Sequence, residues 1–87
     1  MRDITPHEWV DHYTQRANQA QRDADRHAAA AATEPDAIRA EYLRREAATH
    51  AKTAAAYRES AKRSARLAER LDDQARAYGR TERGAQL

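Results

Sequence analysis

Alanine returns every seventh residue through the second half of the chain, at Ala40, Ala47, Ala54, Ala61, Ala68 and Ala75. Three residues further on, a second register reads Leu43, His50, Tyr57, Ser64, Leu71 and Tyr78. The first half repeats the plan, with Val10, Ala17, Ala24 and Ala31 interleaved by Tyr13, Ala20 and His27. The flanking positions are mainly Arg, Asp, Gln and Asn. An apolar period of 3.5 residues is the seam of a coiled coil, because two helical turns bring the chain back to nearly the same face. Methyl-sized side chains at one seam position let two backbones approach toward the short end of the usual spacing, roughly 8–10 Å. The pattern predicts an all-α protein of two long helices.

Local signals punctuate the pattern. In "ITPHEW", Thr5 can cap a helix, Pro6 suits the first helical position and Glu8 lies three residues after the cap, which together make a capping box. Ile4 and Trp9 fall at the two positions of a hydrophobic staple. "TEPDAI" interrupts the first helix, since Pro35 has no amide proton and drives Glu34 out of helical geometry. These signals predict a single domain over residues 1–87. Helix 1 spans about 5–32, a turn about 33–35, and helix 2 about 36–78, with Thr33 or Glu34 as its cap and Pro35 in its first turn. Gly79 is the expected stop, and residues 79–87 the expected flexible tail.

Ala31 and Ala40 are nine residues apart, which breaks the heptad phase. One continuous helix would turn its seam away at Pro35, whereas a hairpin folded at residues 35–36 brings the seams face to face. Ala31 then meets Ala40, Ala24 meets Ala47, Ala17 meets Ala54 and Val10 meets Ala61. The helices differ in length, so the stripe of Ala65, Leu67, Ala68, Leu71, Ala75 and Tyr78 is expected to overhang beyond Ser64. A second copy would cover it, giving a four-helix bundle from a twofold dimer. The expected self-association seam is thus Val10, Tyr13, Ala17, Ala24, Ala31, Ala40, Leu43, Ala47, Ala54, Tyr57, Ala61, Ala68, Leu71, Ala75 and Tyr78. Ile38 and Tyr42 lie off it, four residues apart on one face, and make a patch for dimer contacts or for a different protein.

Composition favours the same picture. Of 87 residues 22 are Ala, with no Phe, one Trp and one Met. A core of methyl groups is small, and chains of this size rarely gain more than about 3–5 kcal/mol from a core even with larger side chains. Association is therefore the expected route to stability. With no Cys, disulfides and thiolate metal sites are excluded. No apolar run approaches the roughly 20 residues that cross a bilayer, and the N-terminus has no signal-peptide core, so the expectation is a cytoplasmic protein without membrane contact.

The candidate chemistry is sparse. "HEWVDH" is one residue too long for HExxH, and its histidines, His7 and His12, point in different directions around a helix. His27 and His50 fall on the seam, where neutral imidazoles can fill a layer and bond across it, or act as a pH-sensitive pair. A carboxylate-bridged di-iron site needs inward Glu residues and a Glu-x-x-His step, but Glu46 precedes His50 by four. With only two glycines there is no phosphate loop. No catalytic residues, metal, cofactor or small-molecule substrate are expected, and the protein is read as non-catalytic.

Charge adds one alternative. Residues 1–36 carry four basic and seven acidic side chains, against twelve and seven over residues 37–87. Arg58, Lys62, Arg66 and Arg70 recur every four residues with Arg63 beside them, a ridge that can follow a nucleic-acid backbone by releasing counterions. Glu59, Glu69, Asp72 and Asp73 interrupt it. The favoured function is a protein–protein assembly module (adaptor, inhibitor or structural subunit) acting as a homodimer or higher oligomer, with a phage- or plasmid-type nucleic-acid regulator as the alternative. Two resemblances bear on this. Paired hairpins with alanine seams resemble the small plasmid copy-number proteins that bind RNA loops. "YGRTE", Tyr78 to Glu82, is similar to the Tyr-x-x-x-Glu signal after the second helix of hairpin proteins exported by type VII secretion, and implies an exported hairpin. Their tryptophan lies in the inter-helix turn, whereas Trp9 begins helix 1.

Overall fold

The computed structural model describes residues 3–85, with side chains described through residue 79. Two helices, α1 (Pro6–Thr33) and α2 (Ala37–Ala85), pack along one another as a hairpin. Their antiparallel sense follows from who meets whom: near the turn His27 faces His50, and at the far end His7 meets Asp72.

The start of α1 follows the capping signal. Thr5 is extended (φ −73°, ψ 158°), and its Oγ1 accepts a hydrogen bond from the Glu8 amide at 3.2 Å. Pro6 takes the first turn, where a missing amide proton costs nothing. Ile4 stays 50% exposed, while Trp9 stacks forward on Tyr13 with ring centroids 5.3 Å apart.

The turn differs from expectation in one respect. Glu34 leaves helical geometry (φ −76°, ψ 117°), as the residue before a proline must. The cap of α2, however, is Asp36, not Thr33 or Glu34. Its Oδ1 accepts from the amides of Ile38 (2.9 Å) and Arg39 (3.0 Å), while Glu34 Oε1 accepts from the Asp36 amide at 3.2 Å. Pro35 sits in the extended link and not in the first turn, so the capping position passes to the next residue, whose short carboxylate suits it.

At its other end α2 does not stop at Gly79 but continues to Ala85. Gly79 has no positive φ, and a Cβ placed there would meet nothing within 4 Å. Glycine permits a left-handed stop without compelling it. The side chains of residues 80–87, including Glu82 of the "YGRTE" signal, lie outside the described residues.

The core is a line of methyl groups. Ala17, Ala20, Ala24, Ala31, Ala40, Ala54 and Ala68 are buried, and among the described residues no large side chain is fully enclosed. Val10, Tyr13, Leu43, Ala47, Tyr57 and Ala61 are half-buried along the same line. Burying a methyl contributes roughly 0.8 kcal/mol, so seven of them supply only about 6 kcal/mol.

The result is a rod of 76 × 24 × 13 Å with a radius of gyration of 21.0 Å, against about 12 Å for a compact chain of this length. Its accessible surface is 7059 Å², where a compact monomer of this mass exposes about 5,200 Å². Among the described residues, no helix is long and apolar enough to cross a membrane.

Candidate interaction surfaces

Four places on the rod carry side chains that the hairpin does not consume. The first is the uncovered end of α2. Ala68 is only 4% exposed, so the overhang does not begin after Ser64. The first turns of α1 reach further, and His7, Val10 and Asp11 lie across Ala65, Ala68, Glu69 and Asp72. Helical side chains lean toward their own N-terminus. In an antiparallel pair those of α1 lean toward the open end and those of α2 toward the turn. His7 Nε2 therefore reaches Asp72 Oδ2 at 3.2 Å, and Arg58 donates to Gln21 Oε1 at 3.1 Å. Past this point the seam is open. Leu71 is 44% and Tyr78 67% exposed, and Ala75 is exposed; Leu67, on the flank of the same stripe, is 42% exposed.

The second place is the turn end. Ile38 (83% exposed) and Tyr42 (61%) stand free, and with Ala37, Glu41 and Arg45 they line a shallow apolar groove. Glu41 is held by its neighbours: Arg44 donates to Oε2 at 3.1 Å and Arg45 to Oε1 at 3.2 Å. The Arg44 hydrogen bond first, then that of Arg45, lowers the carboxyl below the ordinary glutamate range.

The basic ridge is the third, and it divides into two parts. Arg58 is engaged with Gln21, Lys62 with Glu59 (3.2 Å) and Arg63 with the Ser60 hydroxyl (3.0 Å). Among the described residues Arg66 and Arg70 form no ion pair, and with Arg63 and Glu69 they line one open groove. Further on, Arg76 pairs with Asp73.

The last is the histidine layer. The His27 and His50 rings lie 5.0 Å apart, inclined at 42°, and both residues are half-buried. His27 Nδ1 bonds the Asp23 carbonyl at 2.7 Å, within its own helix. The expected bond across the layer is not formed: the two tilted rings lie side by side without one. Glu46 joins them instead, its Oε2 lying 4.0 Å from His50 Nε2. This third member was visible in the sequence as a four-residue step before His50, a spacing that places two side chains on one helical face. Aromatic contact also joins the helices at Tyr13 and Tyr57, with centroids 6.2 Å apart.

Against known proteins, the chain matches no family model, no curated protein and no solved structure.

Proposed function

We propose that this chain is a non-catalytic assembly module that acts as a homo-oligomer, with two hairpins joined through the open end of α2. The observation that carries the reading is the stripe of Leu67, Leu71 and Tyr78, exposed just where α1 ends. Leucines separated by one turn, followed by a tyrosine two turns on, form an apolar strip on a helix that has only one neighbour. A second copy offers the same strip in reverse, which is the self-complementary contact of a twofold dimer. The rod exposes about 1,900 Å² more than a compact monomer of its mass, enough surface for an interface of ordinary size.

The test is the mass of the intact chain in solution by sedimentation equilibrium, with Leu71→Glu as the variant. The parent should sediment as a dimer or higher and the variant as a monomer of unchanged helicity. A parent that remains monomeric at high micromolar concentration would end this reading.

A second reading has one observation in its favour. Arg66 and Arg70, which form no ion pair among the described residues, present cations beside Arg63 along one groove of α2. Such a ridge can follow the phosphates of a nucleic acid, with affinity that falls as salt rises. Titration of generic duplex DNA and RNA at low salt decides it. Binding should disappear in Arg66→Glu and Arg70→Glu, and a parent that binds neither polymer excludes the reading.

A further inference from the structure

The histidine layer is more than packing: we infer that His27, Glu46 and His50 form a binding site for a divalent transition-metal ion, zinc by preference, that clips α1 to α2. Three kinds of observation converge here. Each of the three side chains offers one ligand atom, and these atoms all lie within 4.8 Å of one another. Around a tetrahedral zinc, with bonds of roughly 2.0–2.2 Å, ligand atoms sit about 3.3 Å apart. Small side-chain rotations close the difference. Both Glu46 and His50 have that freedom, with side chains 36% and 30% exposed.

The second observation is the orientation of His27. A carbonyl oxygen only accepts, so the 2.7 Å contact from Nδ1 to the Asp23 carbonyl places a proton on Nδ1. In the neutral imidazole this leaves Nε2 with the lone pair. A backbone carbonyl that holds one ring nitrogen so that the other can ligate is the usual outer support of a metal-bound histidine. The Asp23 carboxylate is occupied elsewhere, receiving Arg26 at 2.6 Å, and does not compete.

The third observation is that, among the described residues, no hydrogen bond ties these three groups to one another. No hydrogen bond joins His27 to His50, and the 4.0 Å between His50 Nε2 and Glu46 Oε2 is too long for one. Glu46 and His50 make only this long ion-pair contact, and the His27 ring faces them. Elsewhere the buried line is methyl groups, which bring the backbones close enough for side chains on opposite helices to share one ion.

The donor set selects the class of metal. Two imidazoles and one carboxylate suit Zn²⁺, Co²⁺, Ni²⁺ and Cu²⁺, whereas Mg²⁺ and Ca²⁺ seek all-oxygen surroundings and Cu⁺ seeks sulfur. Three protein ligands leave the fourth position of a tetrahedral ion to water. The ligands come from both helices, so the ion binds the assembled hairpin and stabilises it by mass action.

The experiment uses the full, untagged chain, freed of metal with a chelator and titrated with Zn²⁺ by calorimetry and with Co²⁺ by visible absorption. One ion per chain should bind, and Co²⁺ should give the intense absorption of a four-coordinate site. At a hundredfold excess of Zn²⁺ over its dissociation constant, the melting temperature should rise by roughly 10 °C or more. His27→Ala, His50→Ala and Glu46→Gln should each weaken binding by at least about tenfold. Alanine already fills most of this seam and glutamine keeps the shape of Glu46, so helicity should survive, as circular dichroism will verify. A His7→Ala, His12→Ala double variant should bind like the parent. The inference fails if Zn²⁺ binds no more tightly than about 1 mM, if Co²⁺ shows only the weak bands of a six-coordinate ion, or if the His7 and His12 changes abolish binding while those in the layer do not. Each of these is read per chain and does not depend on whether the hairpin dimerises.

Discussion

Ala54 and Ala75 occupy the same heptad position of the same helix, three heptads apart, yet Ala54 is 0% exposed and Ala75 lies open. The two side chains are identical and stand on one apolar stripe. The difference comes from α1, which lies against the first and has ended before the second. A heptad seam marks which face of a helix can be covered; whether it is covered depends on how far the neighbour runs. Between these two positions lies the end of α1, where His7 leans out to Asp72.

The comparison can be broken by enlarging both residues. Ala54→Leu forces three carbons into a site with no spare volume, and should cost roughly 1–3 kcal/mol, lowering the melting temperature by several degrees in thermal circular dichroism. The same change at Ala75 should leave a monomeric hairpin within about 0.5 kcal/mol of its parent, and should cost a dimer joined there as much as the change at Ala54. A fall at Ala75 as large as that at Ala54 would show that the open stretch is packed in solution. A smaller but distinct effect is expected at the covered end, where Asp36→Ala removes the acceptor for two amides and should cost about 1 kcal/mol. Its measure is the urea midpoint at unchanged slope. At the open end the expected sign reverses. Gly79→Ala should stabilise by about 0.5–1 kcal/mol, because Gly79 is helical and a Cβ there meets nothing. Destabilisation by this change would mean that Gly79 adopts the left-handed conformation of a helix stop.

The smallest effect concerns acid. Glu41 has its folded carboxyl lowered by Arg44 and then Arg45. A lowered carboxyl adds stability that is present above the unfolded pKa and is lost as pH falls through the folded one. Glu41→Gln should therefore slightly reduce the drop in melting temperature between neutral pH and about pH 3. The side chain is half exposed to solvent, which screens the interaction, so the change should be barely resolvable. A large change would mean that Glu41 is buried in an assembly.

Much of the architecture was legible because it rests on rules acting over a few residues. The Thr5–Pro6–Glu8 start, the break at Pro35 and the seam through Ala17, Ala24, Ala31, Ala40 and Ala54 are all local or periodic signals, and each appears where its chemistry places it. The departures arise where a local rule permits more than one outcome. Asp36 rather than Thr33 or Glu34 caps α2 because the helix begins after the proline and not at it. Gly79 continues the helix because glycine allows a stop but does not impose one. The histidine layer is half legible: the heptad puts His27 and His50 on the seam, while the four-residue step from Glu46 to His50 fits no Glu-x-x-His pattern and marks no ligand by itself.

Two helices, their break and the face each buries are written in neighbouring residues, through propensity, capping and a period of 3.5. Only the tertiary structure decided where the cover ends and which side chains meet across it. Those outcomes depend on axial offset and on the lean of side chains toward opposite ends of an antiparallel pair, and no spacing along one chain encodes them. That lean sets His7 against Asp72, and the axial offset of the two rods brings His27 of α1 to the Glu46–His50 pair of α2.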